Sequence, residues 1–99
     1  MIKPRAIGFY MAKKVKYHKT PDLSQRITPE LLGESIRARR SQSNLKLSDA
    51  AALCGVAKQT LANIESGHST TQINTILQVC ANLGVGLYIK PWHEDNENE

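Results

Sequence analysis

The stretch from 47 to 67 constrains this chain more than any other, because two blocks of helical length are separated by Gly55 and closed by Gly67. Residues 47–54 (LSDAAALC) form a short helical pattern, and Gly55 follows where a left-handed turn residue is needed. Residues 57–66 (AKQTLANIES) space Leu61 and Ile64 three apart on one inward face. Lys58, Gln59, Ala62 and Asn63 are left on the other faces, and Gly67 ends the block.

The flanks supply what these two helices pack against. Thr28, Pro29 and Glu30 are a helix start: a cap, a proline in the first helical position and an acid in the first turn. The helix they open runs to about Ser43, with Leu32, Ile36 and Arg40 on one face and Leu31 beside it. Gly33 inside it is tolerated at a cost of about 1 kcal/mol. Thr71 caps a fourth helix over 72–83, in which Ile73, Ile76, Leu77, Cys80 and Leu83 follow the helical rule, and Gly84 ends it. Residues 85–90 then alternate Val85, Leu87 and Ile89 against Gly86, Tyr88 and Lys90, a strand pattern with no second convincing strand in 28–90. A lone strand needs a partner, and the symmetric solution is its copy in a second subunit. The expected fold is all-α, four helices with one C-terminal strand that pairs across a homodimer.

Ninety-nine residues with a net charge of +4 make one small basic domain, suited to a polyanion. The charge is unevenly spread. Residues 1–27 hold seven basic side chains (Lys3, Arg5, Lys13, Lys14, Lys16, Lys19, Arg26) against Asp22 alone, whereas residues 94–99 carry four acids. The chain therefore divides into a basic arm (1–27), a helical domain (28–84), a dimerisation strand (85–92) and an acidic tail (93–99). The arm is expected to be mostly irregular, with an apolar patch at 7–12 able to form a strand or to dock on a partner. Cys54 and Cys80 lie in apolar helical patterns and are expected to be reduced core residues of a cytoplasmic protein. His18, His68 and His93 are isolated from one another and there is no CxxC, so neither a metal nor a cofactor is expected. No apolar run reaches the ~18 residues of a membrane span, and the amino terminus has no signal-peptide pattern.

Read as a whole, residues 45–67 (LKLSDAAALCGVAKQTLANIESG) resemble the helix-turn-helix of the phage-repressor and xenobiotic-response-element family, the lambda-repressor-like domains. Leu45, Lys46, Leu47, Ala50, Ala51 and Gly55 occupy the first landmarks of that pattern. Val56, Leu61, Glu65 and Gly67 occupy the later ones without a gap. The resemblance implies that Arg40 pairs with Glu65, tying the first helix to the third. It also implies that the third helix enters the major groove of duplex DNA, with Ala57, Lys58, Gln59, Ala62 and Asn63 toward the base edges. Lysine can donate to guanine, glutamine can pair with adenine in a bidentate fashion, and alanine can touch a thymine methyl. The family often has glutamine where this chain has Leu47, a side chain with no phosphate contact to offer. Lys46 and Ser48 are expected to take that role, with Ser66, His68, Ser69 and Thr70 in the following loop.

Residues 84–92 (GVGLYIKPW), a terminal strand in place of a fifth helix, resemble those of the HipB-type antitoxins. That resemblance implies a dimer on a palindromic operator that represses its own operon and holds a kinase-like toxin of the HipA type. Trp92 and the acidic tail would dock on the toxin, and the basic arm would track phosphates or bind a second toxin component. A stand-alone phage-type or metabolic regulator remains open as the alternative. An enzyme is not expected, since the chain has no nucleophile-base pair, glycine-rich phosphate loop or paired carboxylates. The five aromatic residues all lie outside 45–67 and form no stacking platform for RNA.

Overall fold

A computed structural model describes residues 15–68 and 70–93. Among them are four helices and no strand: α1 (Pro29–Gln42), α2 (Leu47–Cys54), α3 (Lys58–Glu65) and α4 (Ile73–Leu83). The α1 start follows from its first residues. Thr28 Oγ1 accepts a hydrogen bond from the Leu31 amide at 3.0 Å, and Pro29 places no unsatisfied N–H in the first turn. After Ser43, Asn44 takes a left-handed φ of 59° and turns the chain into α2. Gly55 and Gly84 do the same after α2 and α4, at φ of 73° and 80°.

The core is assembled from all four helices: Ile36 from α1, Ala50, Ala51 and Cys54 from α2, Leu61 and Ile64 from α3, and Val79, Cys80 and Leu83 from α4. The inner face of α2 is built from alanine and cysteine, which lets its neighbours approach closely. Leu32, Leu45, Leu47, Val56 and Ile76 close the margins of that core. Leu47 is thus partly buried against the core.

The close approach of α1 to α3 rests on Gly33. A Cβ there would lie 2.5 Å from the Ile64 carbonyl oxygen and 2.6 Å from that of Glu65, so no larger residue fits without moving one helix. This glycine is a packing requirement, which the sequence treats only as a tolerated weakness of the helix.

Three features of the second half differ from the sequence reading. First, α4 starts after Gln72, not Thr71, and Gln72 makes no side-chain cap bond. Second, the helix is rotated from the expected phase: Val79 is fully buried, whereas Ile73 and Leu77 are 64% and 46% exposed. The sequence carries two overlapping stripes, and the end of α2 selects between them. Gln78 Nε2 donates to the Cys54 carbonyl at 2.6 Å and the Cys54 thiol points at the Val79 carbonyl, which turns 76, 79, 80 and 83 inward. Third, residues 85–90 form no strand within the chain. Val85 and Leu87 pack against the core, and the Val85 amide closes α4 by donating to the Cys80 carbonyl at 2.8 Å. Beyond them Tyr88, Ile89 and Trp92 are largely exposed. Alternation lets one side of the segment rest on the helices, but a ladder needs a second strand, and none is present among the described residues.

Residues 15–27 run back along α1 as an irregular but docked strap. The His18 amide donates to Ser41 Oγ at 2.9 Å. Gln42 Nε2 donates to the His18 carbonyl at 3.0 Å and to Thr20 Oγ1 at 2.9 Å. Asp22 then accepts from the Ser24 amide and hydroxyl, a local turn whose hydrogen bonds hold the Asp22 carboxyl below its ordinary pKa. The expectations for Lys3, Arg5, Lys13, Lys14 and the apolar patch at 7–12, for Ser69, and for the acidic tail over 94–99 lie outside the described residues. No described helix is long and apolar enough to cross a membrane.

Candidate nucleic-acid interface

The outer face of α3 is set by how tightly its inner face is held. Leu61 is fully buried and Ile64 nearly so, which fixes the rotation of the helix. With that rotation, Lys58, Gln59 and Asn63 stand in solvent and Ala62 is half-buried between them. Ala57 is exposed as the residue preceding the helix, and Ser66 follows it, so both flank α3 by one position. Neither Ala57 nor Lys46 offers a capping side chain. The first amides of α2 and α3 are therefore left without the side-chain bond that a serine or aspartate would give.

Gln59 Nε2 donates to Asn63 Oδ1 at 2.9 Å, one helical turn along. This bond uses one of the two amide hydrogens of Gln59, whose side chain is exposed. Bidentate recognition of adenine uses an amide hydrogen together with Oε1.

The C-terminal end of α3 is fastened by charge. Glu65 is 5% exposed, and both of its carboxylate oxygens are taken by Arg40 of α1: Nε to Oε2 at 2.6 Å and Nη2 to Oε1 at 2.9 Å. Arg40 Nη1 also donates to the Leu45 carbonyl at 2.8 Å, so one guanidinium spans α1, α3 and the lead-in to α2. A buried carboxylate is tolerable only with such bidentate, charge-assisted partners. Arg37 adds a looser contact, 3.6 Å from Glu65 Oε1 and 3.4 Å from the Glu65 carbonyl. Sequence reasoning missed Arg37, although its spacing of three from Arg40 puts both on one side of α1.

The residues expected at phosphates lie at the start of α2 and in the loop after α3. Lys46 and Ser48 are exposed at the start of α2. Ser66 and His68 form a small unit after α3, with Ser66 Oγ donating to the Asn63 carbonyl at 3.0 Å and lying 2.7 Å from His68 Nδ1. The chain turns there through Gly67 at φ 83°, and Thr70 is exposed beyond it. Val85 and Leu87 are half-buried and Ile89 is exposed, along the far side of α1 from α3. Burial raises the pKa of Cys54 and pushes that of Cys80 up to about 11, which keeps both thiols protonated.

A family model described as helix-turn-helix matches residues 36–89, more than half of the chain. The chain belongs to the helix-turn-helix family. A relative in Sinorhizobium fredii (strain NBRC 101917 / NGR234), described as the uncharacterized HTH-type transcriptional regulator y4mF, is 32% identical over 79 residues. The alignment covers 80% of this chain and 90% of that regulator. Within this helix-turn-helix chain, α2 and α3 are the two helices of the motif and Gly55 is its turn. The match begins at Ile36, so it takes in the second half of α1, where Arg37 and Arg40 reach Glu65, and it runs through residue 89 of the extended segment.

Proposed function

We propose that this chain is a sequence-specific DNA-binding transcriptional repressor that reads duplex DNA with α3. The observation that carries the reading is the Arg40–Glu65 pair, which fixes a short helix by its C-terminal end and its apolar face while the polar face is left to solvent. In this reading Lys58 and Gln59 contact guanine and adenine edges, Asn63 supports Gln59, and Ala57 and Ala62 touch thymine methyl groups. Lys46, Ser48, Ser66, His68, Ser69 and Thr70 contact phosphates and position the helix. The description of the rhizobial relative as a transcriptional regulator supports the same role.

Two copies then read a palindromic operator as a homodimer, with residues 85–90 pairing about the two-fold axis through Val85, Leu87 and Ile89. The exposed Tyr88, Ile89 and Trp92 and the unladdered backbone of this segment support that assembly. The protein partner would be a kinase toxin of the HipA type, making the chain an autoregulating cytoplasmic antitoxin.

The central test is a footprint on the DNA upstream of the chain's own gene. Lys58→Ala and Gln59→Ala should each weaken binding by about 1–3 kcal/mol and relax base preference at one position per half-site. Unchanged affinity and preference would remove α3 as the reader. Truncation after Gly84 should give a monomer by light scattering, and a dimeric truncation would overturn the pairing. Affinity capture from the native host decides the partner: a kinase supports the antitoxin role, and its absence leaves a stand-alone regulator.

A further inference from the structure

The strap over 15–20 is ordered against the end of α1 although almost every side chain in it is polar or exposed. It is held by the three bonds that Ser41 and Gln42 make to the backbone of His18 and to Thr20. Ser41, 6% exposed, serves this contact while its own hydroxyl donates to the Ala38 carbonyl at 3.0 Å. The consequence is a local excess of positive charge. Ser41 stands one helical turn beyond Arg37 on the same side of α1, so the bond that holds His18 sets the strap beside Arg37. Burial, and then the charges of Arg37, Lys16 and Arg40, lower the pKa of His18 in this corner of the domain. Arg40 already neutralises Glu65 at short range, and its side chain is only 11% exposed. Arg37 is held at 3.6 Å with a side chain 37% exposed, and Lys16 and Lys19 are exposed with no bond to another described residue. The corner adjoins the C-terminal end of α3, where the chain turns into the loop proposed above to face phosphates.

We infer that the docked strap is a second DNA-contacting element, in which Lys16, Lys19 and Arg37 bind backbone phosphates outside the base pairs read by α3. This rests on the helix-turn-helix reading of the chain and adds to it a surface that the motif itself does not contain. Gln42 acts as a positioning residue: by holding the His18 carbonyl and Thr20 it presents the lysines in fixed places, which lowers the ordering cost of binding. Because phosphate contacts are blind to sequence, a mixed-sequence duplex of about two helical turns is a sufficient probe.

The experiment is fluorescence anisotropy of the full chain on that labelled duplex over a series of salt concentrations. The double variant Lys16→Gln/Lys19→Gln should bind several-fold more weakly, and the slope of log K against log salt should fall by about 0.9 for each phosphate that is no longer neutralised. Lys16→Arg/Lys19→Arg should keep the wild-type affinity and slope. Gln42→Ala changes no charge and sits in solvent, yet it should weaken binding in the same direction with an unchanged thermal melting temperature. If the charge variant and Gln42→Ala both match wild type while Lys58→Ala still alters operator binding, the strap is overturned and the α3 reading survives. If the charge variant weakens binding but Gln42→Ala does not, the lysines act as a loose tether and the docked site is overturned. A wild-type chain that binds no duplex at all removes both readings together.

Discussion

The two ends of the helical body are finished in opposite ways. At the junction of α1 with α3, every strong group has a partner within the chain: Glu65 meets Arg40 on both oxygens, Arg40 also reaches the Leu45 carbonyl, and Gly33 lets the helix backbones touch. After α4, the chain runs out as an extended segment in which Tyr88 is 92% exposed and Ile89 83% exposed. An open trough lies between this segment, the strap at Leu23 and Ile27, and the outer face of α1. Among the described residues, one end is closed by bonds within the chain and the other leaves large apolar side chains exposed. The face proposed to read DNA is thus the firmly held one, and the segment proposed to pair with a second copy is the one with exposed apolar surface.

That contrast can be broken most severely at Arg40. Arg40→Leu leaves the buried Glu65 with only the looser Arg37 contact, and should cost about 3–5 kcal/mol in chemical denaturation, enough to unfold much of a domain of this size. Arg40→Lys should recover only part, because an ammonium cannot bridge both carboxylate oxygens and the Leu45 carbonyl in one fixed geometry. Leu61→Ala, under the same face of α3, should cost about 2–5 kcal/mol through the cavity it leaves. Its counterpart Leu77→Ala should cost much less, since Leu77 is nearly half exposed. Equal losses at 61 and 77 would show that α4 has the phase read from the sequence. Gly33→Ala should follow at about 1–3 kcal/mol of overpacking, with weakened DNA binding as α3 is pushed outward. At the unfinished end, Ile89→Ser should change the stability of a dilute monomer by almost nothing, within about 0.5 kcal/mol. A large loss there would mean that the segment is already packed within the single chain.

Much of the body is legible in the sequence because its signals are local. Thr28 and Pro29 open α1, Gly55 and Gly84 close α2 and α4, and the three-residue spacing of Leu61 and Ile64 sets the inner face of α3. Each of these features acts within one helical turn. The phase of α4 is not legible, because 73, 76, 77, 80 and 83 and 76, 79, 80 and 83 are both valid helical stripes. The meeting of Cys54 with Gln78 and Val79, more than twenty residues away, chooses between them. Gly33 is misread for the same reason: nothing in its neighbourhood announces the Ile64 and Glu65 carbonyls that arrive from another helix. The strap is likewise invisible, since Ser41 and Gln42 are ordinary polar residues at a helix end until His18 and Thr20 lie against them.

By itself, then, the sequence determined where α1 begins and where α2 and α4 end, which residues of α3 face outward, and that two short helices turn about Gly55, since capping, glycine conformation and helical period are properties of neighbouring residues. The tertiary structure alone decided which stripe of α4 is buried, why residue 33 has no side chain, that Arg37 joins Arg40 at Glu65, and where a basic strap is fastened. Each of those depends on backbone or charge brought from a distant part of the chain, and no local pattern encodes what will arrive.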